Sequence, residues 1–129
     1  MKHKLNIKDL QADMRNVDIR FRVVKKGEIK TVQSRDGKEL TLSEVEVGDS
    51  TGRIILTLWD QFIQMLDEGD VAEVRNGFVK VIRSELRLNV GKYGELVKIE
   101  DADDFVEITD IPDFFPKPPE NYRPSYRRR

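Results

Sequence analysis

The residues best suited to chemistry lie on a segment that ends in the only tryptophan of the chain, Trp59. Side chains of a strand alternate between its two faces, so Ile54, Leu56 and Leu58 are predicted to form one apolar face. The opposite face then carries an aromatic ring beside a cation and a hydroxyl: Arg53, Ile55, Thr57 and Trp59. Two interpretations stay open here, an exposed stacking platform or a tryptophan that covers a second hydrophobic layer under a loop.

Neighbouring segments carry the same mixture of aromatic, apolar and cationic groups. Alternation over 71–82 and 85–90 leaves Phe78, Lys80 and Ile82, with Arg87 and Asn89, outside the apolar rows. Aromatic faces stack on bases at about 1–3 kcal/mol each, and cations bind the phosphates between them. This pattern favours single-stranded nucleic acid as ligand. The candidate contact residues are Arg35, Lys38, Arg53, Thr57, Trp59, Phe78, Lys80, Ile82, Arg83, Arg87, Asn89 and Tyr93.

Each of these candidates also has a simpler interpretation. Long cationic side chains cover apolar surface and keep a protein in solution, and hairpin tips such as 35–38 are commonly charged for that reason. Tyr93, between Gly91 and Gly94, is as well suited to packing in its loop as to stacking on a base. The functional interpretation depends on the combined set and not on any single cation.

Composition argues against several kinds of activity. The chain has no cysteine and one histidine, His3, so disulfides, thiol nucleophiles, Cys/His zinc sites and histidine general bases are excluded. Seven carboxylates over 100–113 match no calcium loop and predict a solvated acidic face. The glycine-containing turns at 48–52 and 91–94 lack the spacing of a phosphate-binding loop. We therefore expect a protein that is not an enzyme and uses no cofactor or metal.

The formal net charge of -1 conceals a strong segregation of charge. Segments 20–38 and 75–98 are net basic, 100–113 is acidic, and the last residues are basic again. Local potential governs binding to nucleic acid, so the near-neutral total does not argue against it. No apolar run is long enough to cross a bilayer and no signal peptide is recognisable, which predicts a cytoplasmic, nucleoid-associated protein.

The elements that position these residues are predicted to be short strands. They cover 16–26, 28–34, 39–47, 51–59, 71–82, 85–90 and 95–99, with tight turns at Asp36-Gly37 and Arg83-Ser84. Gly27 is predicted to break the first strand, a β-bulge is predicted near Ser43, and Asn76-Gly77 is predicted to mark a bulge or a sharp bend.

One short helix is predicted between the third and fourth strands of the sheet. Asp60 is expected to cap it, Phe62, Ile63 and Leu66 to share its apolar face, and Gly69 to end it in a left-handed conformation. This order favours an all-β fold, a five-stranded OB-fold Greek-key barrel with one short helix between strands 3 and 4, and an SH3-like barrel is the nearest alternative.

Segments outside the barrel are predicted to pack less regularly. A turn or strand ahead of Met14 and a segment over 105–111 are expected to lie against the body. From Pro116 the chain is rich in proline and arginine, which predicts a flexible tail. The expected organisation is one nucleic-acid-binding domain over 1–115 and a tail over 116–129.

Ordered motifs add a resemblance that covers 7–115. The chain carries MRN at 14–16, GDSTGRIILTLWD at 48–60, DEGDV at 67–71 and NGF at 76–78. This series resembles archaeal single-OB-fold single-stranded DNA-binding proteins, which are relatives of replication protein A. By position Trp59 and Phe78 match the family's aromatic residues. Ile82 stands where members often have another aromatic residue, and Asn89 stands where some have tyrosine.

The resemblance implies sequence-tolerant binding of single-stranded DNA by base stacking, in replication, recombination and repair. Single-stranded RNA is an alternative ligand, because stacking does not sense the sugar, and an OB-fold subunit that binds other proteins is a third interpretation. The expected partners are single-stranded DNA and other replication or repair proteins, with no membrane. The expected state is a monomer.

Overall fold

Six strands and three short 3-10 helices build the fold over residues 5–91 and 93–123, the part of the chain that the computed structural model describes. The strands are β1 (Arg15–Gln33), β2 (Glu39–Asp49), β3 (Gly52–Trp59), β4 (Val71–Ile82), β5 (Glu85–Asn89) and β6 (Glu95–Ile99). The 3-10 helices are Ile7–Asp9, Asp60–Met65 and Ile108–Asp110. None of the helices in this part of the chain is long and apolar enough to cross a membrane.

The strands close into a ring in the order β1-β2-β3-β5-β4, and β4 pairs back with β1. The β3–β5 pair is parallel and the other pairs are antiparallel. Both β5 and β6 pair with β4, so together they form one strand that is interrupted at 90–94. The predicted five-stranded OB-fold barrel is confirmed, with its fifth strand in two parts.

The barrel core is built from the inward rows of these strands. Ile54, Leu56 and Leu58 are at most 1% exposed, which confirms the predicted apolar face of β3. Ile7 and Leu10 close one end from the N-terminal turn, and both are buried, as predicted. The outer row of β3 is thereby fixed, because each strand side chain faces opposite to its neighbours.

Gly27 does not break β1, and this prediction is wrong. The strand continues to Gln33 through two register shifts, between Val23 and Lys25 and between Lys26 and Ile29. A Cβ on Gly27 would overlap the backbone oxygen of Glu44, so glycine permits the close approach of β2 inside a bulge.

The predicted bulge of β2 near Ser43 is also wrong, because its register with β3 is regular from Leu42 to Asp49. Ser43 points inward and its hydroxyl donates to the Gly27 carbonyl at 3.1 Å. The irregularity belongs to β1, and the leucines at 40 and 42 lie on the outer side of an undisturbed β2.

The turn after β3 differs in detail from the predicted helix. It is a 3-10 helix, and Asp60 makes no side-chain cap. The Asp60 carboxylate instead accepts from the backbone N–H of Thr41 at 3.0 Å and from its hydroxyl at 3.2 Å, which ties the end of β3 to β2. Gly69 has the predicted left-handed φ of 92°, but in a separate turn after this helix.

Two other predicted backbone features are confirmed. Asn76 has a positive φ of 56° where the β1–β4 register shifts between Val17 and Ile19, so the Asn76-Gly77 bulge is present. Arg83 and Ser84 both have positive φ in the two-residue turn between β4 and β5. These features bend β4 and place its outer residues beside β5.

Residues 111–117, here called the strap, run back across one end of the barrel. Ile111 is buried, and the Phe114 carbonyl accepts from the backbone N–H of Arg53 at 2.7 Å. Pro116 is buried as well, and the Tyr122 hydroxyl donates to Asp13 at 3.0 Å. The proposed domain boundary after residue 115 falls within this packed stretch. The terminal residues 124–129 lie outside the described residues.

Candidate nucleic-acid interface

The outward side chains of β2, β3, β5 and β4 form a continuous surface, here called the outer face. Residues that are directly opposite each other on paired strands share a face, so the register defines its rows. Four rows cross it: Lys30–Leu42–Trp59; Glu44–Thr57–Asn89–Phe78–Arg15; Lys25–Glu46–Ile55–Arg87–Lys80; and Gly48–Arg53 with Glu85–Ile82.

Trp59 and Phe78 are the aromatic residues of this face, and both are partly exposed. Between them lie Thr57 and Asn89, whose exposed fractions are only 7% and 8%. These two small polar residues face outward by register but lie low between their neighbours. They therefore form a polar floor between two rings rather than a further stacking surface.

The β4–β5 hairpin brings three more predicted residues to the same face. Lys80 is exposed and lies opposite Arg87, and Ile82 is 37% exposed. Arg83 is exposed in the turn that follows. Ile82 is accessible but aliphatic, so it offers apolar contact without an aromatic face.

Tyr93 and the first hairpin tip lie outside the four rows. Tyr93 is 82% exposed in the turn from Gly91 to Gly94. Arg35 and Lys38 are exposed at the tip of the β1–β2 hairpin, beyond the last paired residues Gln33 and Glu39. Contact of these three residues with a bound strand would need a ligand that extends past the outer face.

The turn at this hairpin tip is held by its own polar groups. Ser34 N–H donates to the Lys38 carbonyl at 2.9 Å, and Gly37 has a φ of 84°. The Ser34 hydroxyl donates to the Asp36 carboxylate and thereby lowers the pKa of Asp36. The Asp-Gly hairpin turn predicted from the sequence is confirmed.

Arg53 is committed to the protein itself. Its Nη1 donates to Glu46 at 2.7 Å, its Nη2 to the Ile111 carbonyl at 3.0 Å, and its Nε to the Pro112 carbonyl at 3.1 Å. Each nitrogen of the guanidinium thus has an acceptor. Arg53 fastens the strap to β3, and a phosphate would have to displace these acceptors to reach it.

Arg87 is the most enclosed cation of the outer face, and its side chain is 12% exposed. Its Nη2 lies 3.1 Å from Glu85 and its Nη1 lies 3.7 Å from Glu44. Its Nε is buried and has no hydrogen-bond partner within residues 5–91 and 93–123. The two carboxylates therefore leave the Nε–H of this guanidinium without an acceptor.

Three cations of the outer face were not predicted from the sequence, and one of them, Lys25, lies opposite Glu46. Lys30 lies opposite Leu42, the neighbour of Trp59, and Arg15 lies opposite Phe78. The signal for Lys30 was the alternation of β2: without the supposed bulge, Leu42 belongs with Trp59 on the outer side. Arg15 carried no local signal, because its position depends on the register of β1 with β4.

Several exposed cations lie on the same face as the two aromatic rings or at its edge. Four of these cations have no carboxylate within ion-pair distance in the described part of the chain: Arg15, Lys30, Lys80 and Arg83. Unpaired exposed cations keep their full charge available for a polyanion. The outer face therefore combines stacking surface with accessible positive charge.

A second charged network lies on β1 and β4, away from these rows. Glu73 accepts from Arg20 at 3.0 Å and from Arg75 at 2.7 Å. Partial burial acts to raise the pKa of Glu73, but the hydrogen bonds from Arg75 and Arg20 outweigh it and lower the pKa below 4.5. The pKa of Arg75 is raised by the same contact with Glu73.

The acidic segment does not gather into a metal site in the part of the chain that is described. Residues 5–91 and 93–123 contain no group of three or more histidine, cysteine, aspartate or glutamate residues arranged to hold a metal ion. The backbone of this segment has another use: the carbonyls of Phe105 and Val106 accept from Arg22 at 3.3 and 2.7 Å. These bonds anchor the chain between β6 and the strap.

Comparisons with known proteins agree with this arrangement. Residues 2–98 match the family model described as single-stranded DNA binding protein Ssb-like, OB fold. A single-stranded DNA binding protein Ssb of Saccharolobus solfataricus is 31% identical over 115 residues, which cover 89% of this chain and 76% of that protein.

Solved structures share the fold. The second OB-fold domain of replication protein A from Methanococcus maripaludis has a TM-score of 0.64 and 29% identity, over 78% of this chain and 98% of that domain. A replication protein A heterotrimer bound to single-stranded DNA has a TM-score of 0.60 and 21% identity, over 78% of this chain and 24% of the matched chain. At this identity the match shows the fold alone. The chain belongs to the Ssb-like family of single-stranded DNA-binding proteins with an OB fold.

Proposed function

We infer that this protein binds single-stranded DNA across its outer face, with little sequence preference, and protects it in replication, recombination and repair. One observation supports this most: the register brings Trp59 and Phe78 to one face, among exposed cations that have no carboxylate partner in the described residues. Family membership supports the same ligand.

The proposed mechanism combines stacking with phosphate contacts. One base stacks on Trp59 and another on Phe78, at about 1–3 kcal/mol each. The strand between them passes over the polar floor of Thr57 and Asn89, and exposed cations contact its phosphates. We leave Arg53 out of the contact set because the strap already occupies its donors.

Ile82 and Asn89 set a limit on this mechanism. Neither offers an aromatic face, although the resemblance implies that family members often have one at the position of Ile82 and that some have one at the position of Asn89, so we propose two strong stacks instead of three or four. A face with fewer stacks depends more on phosphate contacts, and its affinity should be correspondingly more sensitive to salt.

The test is a fluorescence titration of the wild-type protein with oligo-dT. Trp59 is the only tryptophan, so quenching reports on this residue directly. We expect quenching at low salt, with an affinity that falls as salt rises. Absence of both quenching and a gel shift at low salt would refute the proposal. A clear preference for oligo-rU in competition would instead favour RNA as the ligand.

We also propose that the protein acts as a monomer and by binding alone. Closure of the strands into a ring removes most free sheet edges, which reduces the tendency of copies to pair through their strands. Size-exclusion chromatography with light scattering checks the oligomeric state. An end-labelled oligonucleotide that stays intact during prolonged incubation checks for the absence of nuclease activity. Binding to DNA implies action at the nucleoid, and pull-downs identify partners among replication and repair proteins.

A further inference from the structure

The strap packs closely against the barrel because two positions beneath it, Gly48 and Gly52, have no side chain. A Cβ on Gly48 would lie 2.5 Å from Cγ2 of Ile111, and a Cβ on Gly52 would lie 2.6 Å from the Phe114 carbonyl oxygen. Arg53 then holds the strap from the side through its backbone N–H and its guanidinium. The strap is thus a fixed border of the outer face at the end opposite to Trp59.

A cavity of about 260 Å³ lies between this border and the barrel. At roughly 30 Å³ for each water molecule it has room for a hydrated phosphodiester group. The barrel and the strap both line it, with these residues: Ile54, Ile55, Glu85, Leu86, Arg87, Phe115, Pro116 and Lys117. Because Ile55 and Arg87 also belong to the third row of the outer face, the cavity continues the surface on which the strand is proposed to lie.

The charges that line this cavity favour an anion. Arg87 contributes its guanidinium, whose Nη2 lies 3.1 Å from Glu85 and whose Nη1 lies 3.7 Å from Glu44. Lys117 contributes a second cation from the strap, and it is exposed. Glu85 is the one carboxylate of the lining; it is 56% exposed and bound to Arg87 through Nη2. A phosphate oxygen can replace these carboxylates on the guanidinium, because arginine binds phosphate through charge-assisted hydrogen bonds.

We propose that this cavity is a phosphodiester subsite, in which the bound strand passes beside the strap and one phosphate contacts Arg87 and Lys117. The inference rests on the proposed function. It assigns to the strap a direct part in binding, and it makes Glu85 a competitor that the phosphate displaces from Arg87.

The experiment measures oligo-dT affinity at several salt concentrations for the full-length chain. Lys117→Ala should weaken binding about two- to fivefold, the size of one exposed ion pair, and reduce the salt slope by about 0.7 for the one lost phosphate contact. Arg87→Lys keeps the charge but removes the planar fork of guanidinium donors, and it should also weaken binding. Glu85→Gln should strengthen binding, and this gain should be smaller in the Arg87→Lys background.

The matched control is Lys98→Ala. Lys98 lies on β6, outside the outer face, and is paired with Asp70 at 3.4 Å. The change in oligo-dT affinity of Lys98→Ala measures the effect of losing one positive charge outside the outer face. Thermal melts verify that each variant is folded. If Arg87→Lys unfolds, the comparison of Lys117→Ala with Lys98→Ala still tests the subsite.

The outcomes separate the two proposals. If the wild type binds oligo-dT but Lys117→Ala behaves like Lys98→Ala in affinity and salt slope, the subsite is refuted and the proposed function stands. If the wild type binds no oligo-dT, both proposals fall.

Discussion

Replacement of Trp59 by alanine is the most informative perturbation of the outer face. Trp59 is one of two aromatic residues there, and its row contains only Leu42 and Lys30 besides. Neither of these can replace a π-face. The loss of one stack, about 1–3 kcal/mol, corresponds to a decrease in affinity of roughly five- to 150-fold, since 1.4 kcal/mol is a factor of ten.

The expected loss exceeds that of any single cation on the outer face. Lys80→Ala removes one exposed phosphate contact among several, which is worth about 0.2–1 kcal/mol. The assay is fluorescence anisotropy of a labelled oligo-dT, because Trp59→Ala removes the only intrinsic tryptophan signal. Trp59→Phe is the graded control and should retain most of the affinity, because it keeps an aromatic face.

Folding must be verified separately, because Trp59 is partly buried. A circular dichroism spectrum and a melting curve serve this purpose. An affinity of folded Trp59→Ala within twofold of wild type would refute the stacking mechanism. A loss no larger than that of Lys80→Ala would show that phosphate contacts dominate binding.

Three further predictions concern the strap, the Glu73 network and the outer face. Gly48→Ala should destabilise the fold by roughly 1–3 kcal/mol through overpacking against the strap, measured by urea denaturation, with Ser50→Ala in the turn that follows β2 as a neutral control. The pKa of Glu73 is lowered in the folded protein, so its ion pairs stabilise the fold above pH 4.5. This stabilisation is lost as the pH falls through the folded pKa. The melting temperature of Glu73→Gln should therefore fall less steeply in acid than that of wild type. Lys30→Ala should reduce oligo-dT affinity about two- to fivefold, whereas exposed Lys8 in the N-terminal turn should tolerate alanine, and equal affinities of the two variants would remove Lys30 from the interface.

Carboxylates are an unexpected component of the outer face. Glu46 pairs with Arg53, and Glu44 and Glu85 pair with Arg87. A bound strand must therefore exchange with these groups or pass between the cations that they leave unpaired. This arrangement separates the cations into two classes: Arg53 and Arg87 are paired with carboxylates, which a phosphate would have to displace, whereas the exposed cations on β1, on β4 and in the β4–β5 turn are available to phosphate directly.

Local periodicity in the sequence determined the strands and the way they face. Ile54, Leu56 and Leu58 alternate so regularly that the outer position of Trp59 followed at once, and the Asp36-Gly37 pair fixed the first hairpin. Together with the ordered motifs, these signals were sufficient for the barrel, its ligand class and the outward placement of Phe78 and Lys80. Such signals are readable because they connect residues that are two to five positions apart.

The cross-strand register and the path of the strap were decided by tertiary structure. Gly27 resembled a strand break, yet it permits the close approach of Glu44. The alternation around Ser43 resembled a bulge, yet β2 is regular there and Leu42 lies opposite Trp59. Arg53 resembled a phosphate ligand, but its guanidinium holds Ile111, 58 positions away in the chain. The sequence determines which side chains leave the barrel wall. Which of them remain free for a ligand depends on long-range partners, and no local pattern contains that information.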